Sequence, residues 1–157
     1  YLHEVIGLPW NKIGIIFSIM LLPFVLFELP LGKISDKYLG EKELLILGFI
    51  ITGFFTICLF FIKSQSLVVW AYILFLTRTG ASFIEIMTET YFFKKIDKED
   101  SDVMALYRVI DPAGYLIAPI FGFFALYFEK IQLIFIFLGV SMIFGILLVE
   151  VTQLFQQ

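Results

Sequence analysis

Five long apolar stretches alternate with short polar segments along the chain. Each stretch is long enough for a helix rising 1.5 Å per residue to cross the roughly 30 Å hydrocarbon core of a bilayer. The pattern therefore predicts five membrane-spanning helices with antiparallel sequence neighbours. The predicted spans are 12–31, 44–62, 67–93, 103–127 and 131–149.

Composition points to the same class. The chain is 61% hydrophobic and holds 20 phenylalanines, whereas a soluble domain is about 45–50% apolar. We therefore expect residues 1–157 to form one all-α integral membrane domain surrounded by lipid. The net charge of -3 and the lack of a basic patch give no reason to expect a nucleic-acid partner. His3 is the only histidine and no phosphate-binding glycine loop occurs, so neither a metal site nor a cofactor is predicted.

Lysines are unevenly distributed between the two sides of the predicted bundle. The segments after the first and third spans carry Lys33, Lys37, Lys42, Lys94, Lys95 and Lys98, while the other side carries Lys12, Lys63 and Lys130. The positive-inside rule predicts that segments 32–43 and 94–102 and the C-terminus are cytoplasmic, in a plasma or inner membrane. The odd number of spans predicts a further span before Tyr1, so we interpret the chain as a fragment.

Charges within the predicted spans occur only in the first, third and fourth. Because a charge is costly in hydrocarbon, these spans must face protein or water, whereas the second and fifth can face lipid. In the third span, Arg78, Glu85 and Glu89 fall on one narrow stripe at 100° per residue. Glu28 of the first span is predicted to lie at the depth of the two glutamates.

The fourth span offers a possible partner for this stripe. Its polar face contains Arg108, Asp111, Pro112, Tyr115, Pro119 and Gly122. Two interpretations remain open for the charges: a structural ion-pair network, or a carboxylate short of a partner that carries a coupling proton. Pro112 and Pro119 predict a bent helix and Gly114 permits close helix contact, which suits either a hinge or an ordinary kinked helix.

Three motifs resemble signatures of the major facilitator superfamily. The first is Gly32-x-x-x-Asp36-x-x-x-Gly40-x-Lys42, with one residue inserted before the second glycine and Glu41 where the signature has arginine. The second, Gly114-x-x-x-Ala118-Pro119-x-x-Gly122, resembles the glycine-proline signature of antiporter branches. The third, Arg78-x-Gly80, resembles a further pattern on the helix two positions after the signature loop.

The resemblance implies a fold of two six-helix halves that rock around a central solute site. The chain would then be an incomplete six-helix half, and we favour the C-terminal half without its first helix. The absent N-terminal half of the same chain becomes its expected partner. In the family the loop aspartate latches the cytoplasmic side, and Asp36 is the position that would inherit this role.

The functional prediction is a secondary active transporter that moves a small solute by alternating access, with proton symport or antiport as a further hypothesis. Candidates for the solute or proton pathway are Arg78, Glu85, Glu89, Arg108, Asp111 and Tyr115. The predicted gate and loop signature comprise Glu28, Gly32, Asp36, Gly40 and Lys42, and the predicted hinge comprises Pro112, Gly114, Pro119 and Gly122. The chain is not expected to be an enzyme, although a membrane enzyme using Glu85, Glu89 and Asp111 as acid/base groups, or a non-transporting scaffold, remains an alternative.

Overall fold

The computed structural model describes residues 1–37, 40–96, 101–127 and 131–154. In these ranges the chain forms five helices, all long and apolar enough to cross a membrane. They are α1 (Trp10–Lys37), α2 (Glu41–Phe61), α3 (Leu67–Lys95), α4 (Ser101–Tyr127) and α5 (Leu133–Leu154). The predicted all-helical membrane fold is thereby confirmed.

The polar segment after the first span is mostly helical, which corrects the expectation of a loop from Gly32. Helix α1 continues through Gly32 to Lys37, and α2 begins at Glu41 directly after an extended Gly40. Hydropathy marks where the apolar side chains stop, but backbone hydrogen bonding continues into the polar interface. The buried Ser35, whose hydroxyl donates to the Gly32 carbonyl over 3.0 Å, belongs to this helical extension.

Helix α2 lies between α3 and α5, and α3 also packs along α1. Glycines allow the closest approaches. A Cβ added at Gly80 would lie 2.6 Å from the Thr52 backbone nitrogen and 2.8 Å from the Gly48 carbonyl oxygen, so the α2 and α3 backbones nearly touch. Gly53 and Gly139 bring α2 and α5 together in the same way, since an added Cβ on either would lie about 3 Å from the other's carbonyl oxygen.

Two hydrophobic clusters hold opposite ends of the bundle. At the end we call the Trp70 end, buried Trp70 donates its indole N–H to the Ser64 carbonyl over 2.7 Å and contacts the Tyr1 ring edge-on. At the other end, called the Lys94 end, Leu31, Leu44 and Met87 form a small buried cluster. The Lys94 ammonium donates to the Glu41 carboxylate at 2.5 Å, joining the end of α3 to the start of α2.

Helix α4 stands apart from the others. It approaches α5 at only a few positions, and no described side chain of its apolar span is buried. At the Lys94 end the Tyr107 ring stacks on the Phe92 ring of α3, with centroids 3.8 Å apart. The first three helices and α5 therefore build the packed part of the bundle, and α4 presents most of its surface outward.

Candidate functional site

Two cavities lie along the interface between α1 and α3. The first, called the Arg78 cavity, is partly open, has a volume of about 540 Å³ and lies toward the Trp70 end. Its walls come from α1, α2, α3, α5 and the segment before α1. The lining residues are Tyr1, Leu2, His3, Trp10, Ile13, Phe17, Met20, Thr52, Thr56, Leu59, Trp70, Leu74, Thr77, Arg78, Ala81, Phe135, Leu138 and Met142.

The second cavity, called the carboxylate pocket, lies toward the Lys94 end and has a volume of about 340 Å³. Its described lining comes from α1 and α3. Its lining residues are Phe24, Glu28, Gly32, Glu85, Ile86, Glu89 and Thr90. The structure thus brings together three of the predicted acidic positions, Glu28, Glu85 and Glu89, from two different helices.

A closely packed section of α1 and α3 separates the two cavities. Pro23 follows the last α1 residues of the Arg78 cavity, and both Pro23 and Ser82 of α3 are completely buried. The Ser82 hydroxyl donates to the Thr79 carbonyl over 2.8 Å, so it is satisfied within its own helix. Next to these residues, toward the Lys94 end, the Phe27 and Phe83 rings meet edge-on with centroids 5.7 Å apart. The predicted single stripe on α3 is therefore divided, with Arg78 on one side of this section and the glutamates on the other.

The two cavities differ in charge. Arg78 is the one fully ionised side chain among the described residues that line the Arg78 cavity, and no described lining residue there is a carboxylate. The described lining of the carboxylate pocket contains three glutamates and no base. Since α1 and α3 line both cavities, the sign of the local charge changes along the interface between these two helices.

At the Trp70 end, the Tyr1 ring covers part of the Arg78 cavity. The Tyr1 ring meets Phe135 edge-on at 5.1 Å, and the His3 ring stacks on Trp10 at 4.5 Å. Burial raises the pKa of the Tyr1 phenol above its ordinary value, and the Gln132 side chain offsets part of this shift. The neutral phenol is thus the form that this apolar end favours.

The predicted partner face on α4 does not line either cavity. Arg108, Pro112, Tyr115 and Pro119 are exposed, Tyr115 by 78%, and the side chain of Asp111 lies outside the described residues. Glu28 lies beside Glu85 and Glu89 as expected, but Arg108, which was expected at the same depth, is not among the described residues that line this pocket.

The predicted small-residue contact on α4 also has no neighbour among the described residues. A Cβ added at Gly114 or Gly122 would meet nothing within 4 Å. The close contacts form instead at Gly80, which was noted only as part of a motif, and at Gly48, Gly53 and Gly139, which the sequence interpretation did not single out. The signal for them was present, since glycines in uncharged spans are typical of tight helix packing.

The signature residues after the first span separate into two groups. Glu28 and Gly32 line the carboxylate pocket, whereas Gly40 caps α2 and Lys42 is half-buried in its first turn. The side chain of Asp36 lies outside the described residues, so its role as a latch stays a prediction. The Glu41–Lys94 ion pair was missed, because a contact between distant helix ends leaves no local pattern.

Hydroxyl groups are the other polar groups that the sequence interpretation missed. Thr52, Thr56 and Thr77 line the Arg78 cavity, and the Thr77 hydroxyl donates to the Ile73 carbonyl over 2.9 Å. Thr52 is only 5% exposed, and its hydroxyl has no hydrogen-bond partner in the described part of the chain. The sequence signal that could have found these hydroxyl groups was the presence of three threonines in largely apolar spans.

Among the same described residues, no group of three or more histidine, cysteine or acidic side chains is placed to hold a metal ion.

Comparison with known proteins gives one match. The family model described as Major Facilitator Superfamily matches residues 1–153, which is nearly the whole chain. No curated protein and no solved structure matches.

Proposed function

The chain belongs to the major facilitator superfamily, a family of secondary transporters, and on this premise we propose that it moves a small solute by alternating access through the α1–α3 interface. The observation that carries the proposal is the pair of cavities separated by the buried section at Pro23 and Ser82. A solute site that must never open to both sides at once needs such a barrier between two water-accessible spaces. Two separate cavities with a buried section between them support this proposal.

We propose that the carboxylate pocket carries the coupling ion, a proton. Glu28, Glu85 and Glu89 converge there from two helices, α1 and α3. Carboxylates inside a membrane protein commonly serve as proton relays, because a proton removes the cost of their charge. The pocket lies beside the lysine-rich Lys94 end, and the positive-inside rule favours a cytoplasmic location for that end.

A second helical bundle is part of the proposal. Helix α4 has Arg108 within an apolar span, yet none of the side chains described in that span is buried and Arg108 is exposed. Since a guanidinium facing lipid is costly, the α4 surface is best explained as an interface with further protein. The other half of a complete transporter fits this surface and also closes the open sides of the two cavities.

Alternating access can be tested without knowing the solute. In the full-length protein, with Cys58 replaced by alanine and any other cysteine removed, Thr77→Cys reports on the Arg78 cavity and Thr90→Cys on the carboxylate pocket. We expect a membrane-impermeant maleimide to label each position from a different side, and conditions that increase labelling of one to decrease labelling of the other. Val25→Cys, on an exposed apolar face of α1, should not react with the maleimide from either side. Labelling that rises and falls together at the two positions would contradict alternating access.

A further inference from the structure

We propose that the Arg78 cavity binds a small organic anion with an apolar, aromatic body. The inference rests on the proposed transport function and names the chemical class of its solute. The anionic group of the solute would pair with the Arg78 guanidinium, and its body would lie against the aromatic wall of the cavity.

Charge is the first argument. Arg78 is exposed toward the partly open cavity, and in the described part of the chain it has neither a hydrogen-bond nor an ion-pair partner, although it lies near the middle of a membrane-spanning helix. A guanidinium stays ionised at all physiological pH values and is unstable in such surroundings without a counter-charge. The described lining of the cavity provides no carboxylate. A bound carboxylate or similar anion would supply two parallel hydrogen bonds in the geometry that a guanidinium prefers.

Hydroxyl groups provide the second argument. The Thr52 hydroxyl is buried and has no partner within the described residues, and Thr56 and Thr77 line the same cavity. A buried hydroxyl without a hydrogen bond is costly and uncommon. Rotation about the Thr52 Cα–Cβ bond would turn the hydroxyl toward a bound solute, which then accepts its hydrogen bond. Arg78 and Thr52 lie on neighbouring helices, α3 and α2, at the close contact formed by Gly80.

The shape and composition of the wall give the third argument. A volume of about 540 Å³ lies within the range of roughly 300–1,000 Å³ that is usual for small-molecule sites. The two tryptophans, Trp10 and Trp70, line the cavity together with Phe17 and Phe135. Such a wall with one charged group and a few hydroxyls fits a solute that has a planar apolar body and one anionic end. Aromatic rings also attract cations, but the fixed charge of Arg78 opposes a cation here.

The two cavities would then bind opposite charges, with the anion in the Arg78 cavity and the proton in the carboxylate pocket. An anion entering a cell works against a membrane potential that is negative inside. Protonation of a glutamate in the carboxylate pocket adds one positive charge for each anion, so the pair crosses without net charge. No bond in the solute forms or breaks, and the proton is released again from the same carboxylate.

The test uses probe compounds that share a skeleton and differ in charge. Purified full-length protein is heated with benzoate, benzylamine or benzyl alcohol, and with phenylacetate or phenethylamine, while unfolding is recorded. A ligand that binds only the folded protein raises its melting temperature with increasing concentration. We expect the two carboxylates to raise it at concentrations at which their amine and alcohol counterparts do not. Arg78→Gln should weaken apparent carboxylate affinity about 10-fold or more, Arg78→Lys should retain part of it, and Lys63→Gln, which removes a positive charge outside the cavity, should leave it unchanged.

Two results would overturn the proposal. The first is an equal or larger effect of the amines on the wild-type protein, or no effect of either carboxylate up to millimolar concentration. The second is a carboxylate effect that survives in Arg78→Gln. If Arg78→Gln does not fold, Thr52→Val provides the second variant, and unchanged carboxylate affinity in that variant counts against the proposal. Reciprocal cysteine labelling without anion preference would leave the transporter proposal standing while this inference falls.

Discussion

The Arg78 cavity and the carboxylate pocket are both lined by α1 and α3 but have opposite charge. Seven residues, a rise of about 10 Å, separate Arg78 from Glu85 on α3, and the buried section at Ser82 lies between them. One helix face therefore serves two different sites, because packing against α1 interrupts it. A polar stripe along a membrane helix therefore need not form one continuous pathway for a solute or an ion.

The largest expected effect concerns the carboxylate pocket. Glu85→Gln in the full-length protein should abolish the dependence of solute uptake on a pH gradient, because the amide cannot take up a proton. Uptake into proteoliposomes with and without the gradient measures this. Glu4→Gln removes an exposed carboxylate outside the spans and should leave the pH dependence intact. Persistence of the full pH response in Glu85→Gln would exclude Glu85 as the proton carrier.

The next effect concerns the packing that holds both cavities in place. Gly80→Ala should destabilise the folded protein by about 1–3 kcal/mol, because the new methyl group would overlap the Thr52 and Gly48 backbones. Gly14→Ala is the matched control, since an added Cβ there meets nothing within 4 Å. Denaturant-induced unfolding in detergent measures both variants. Equal stability of the two would show that α2 and α3 are not in close contact at Gly80.

These glycine contacts also mark the limit of what could be predicted from sequence. Hydropathy was enough for the number and kind of helices, and helical periodicity was enough to put Arg78, Glu85 and Glu89 on one face. Neither could show that Ser82 is buried, because burial depends on which helices become neighbours. The assignment of α4 as the partner failed for the same reason: two polar faces suggested a contact, but the pairing of helices is decided by shape at glycines that carry no periodic signal.

A smaller and opposite effect is expected for the unpartnered hydroxyl in the Arg78 cavity. Thr52→Val should stabilise the solute-free protein by about 1 kcal/mol, because it removes a buried hydroxyl that lacks a hydrogen bond in the described structure. Thr79→Val is the control: its hydroxyl donates to the Phe75 carbonyl over 2.9 Å, so this change should not stabilise. The same unfolding measurement applies, and destabilisation by Thr52→Val would mean that the hydroxyl is satisfied.

The smallest effect concerns pH at the Trp70 end. Burial raises the pKa of Tyr1 above the ordinary value of 10.0, so the folded state binds the phenolic proton more tightly than the unfolded state does. The resulting stabilisation is complete below pH 10 and is lost as pH rises through the higher pKa of the folded state. Tryptophan fluorescence followed during alkaline titration should show this step in the wild-type protein and in Tyr72→Phe, but not in Tyr1→Phe. A step that survives Tyr1→Phe would assign it to another group.

Pro23, one of the two prolines inside α1, has a mechanical consequence. Pro23 cannot donate the backbone hydrogen bond that a helix makes at this position, so the helix is more compliant there than in its uninterrupted turns. Pro23 lies between Met20, which lines the Arg78 cavity, and Phe24, which lines the carboxylate pocket. The parts of α1 before and after Pro23 therefore behave as two stiffer helical segments joined at a more flexible position. A change in the bend at Pro23 would move these two segments relative to each other, so that one cavity narrows as the other widens.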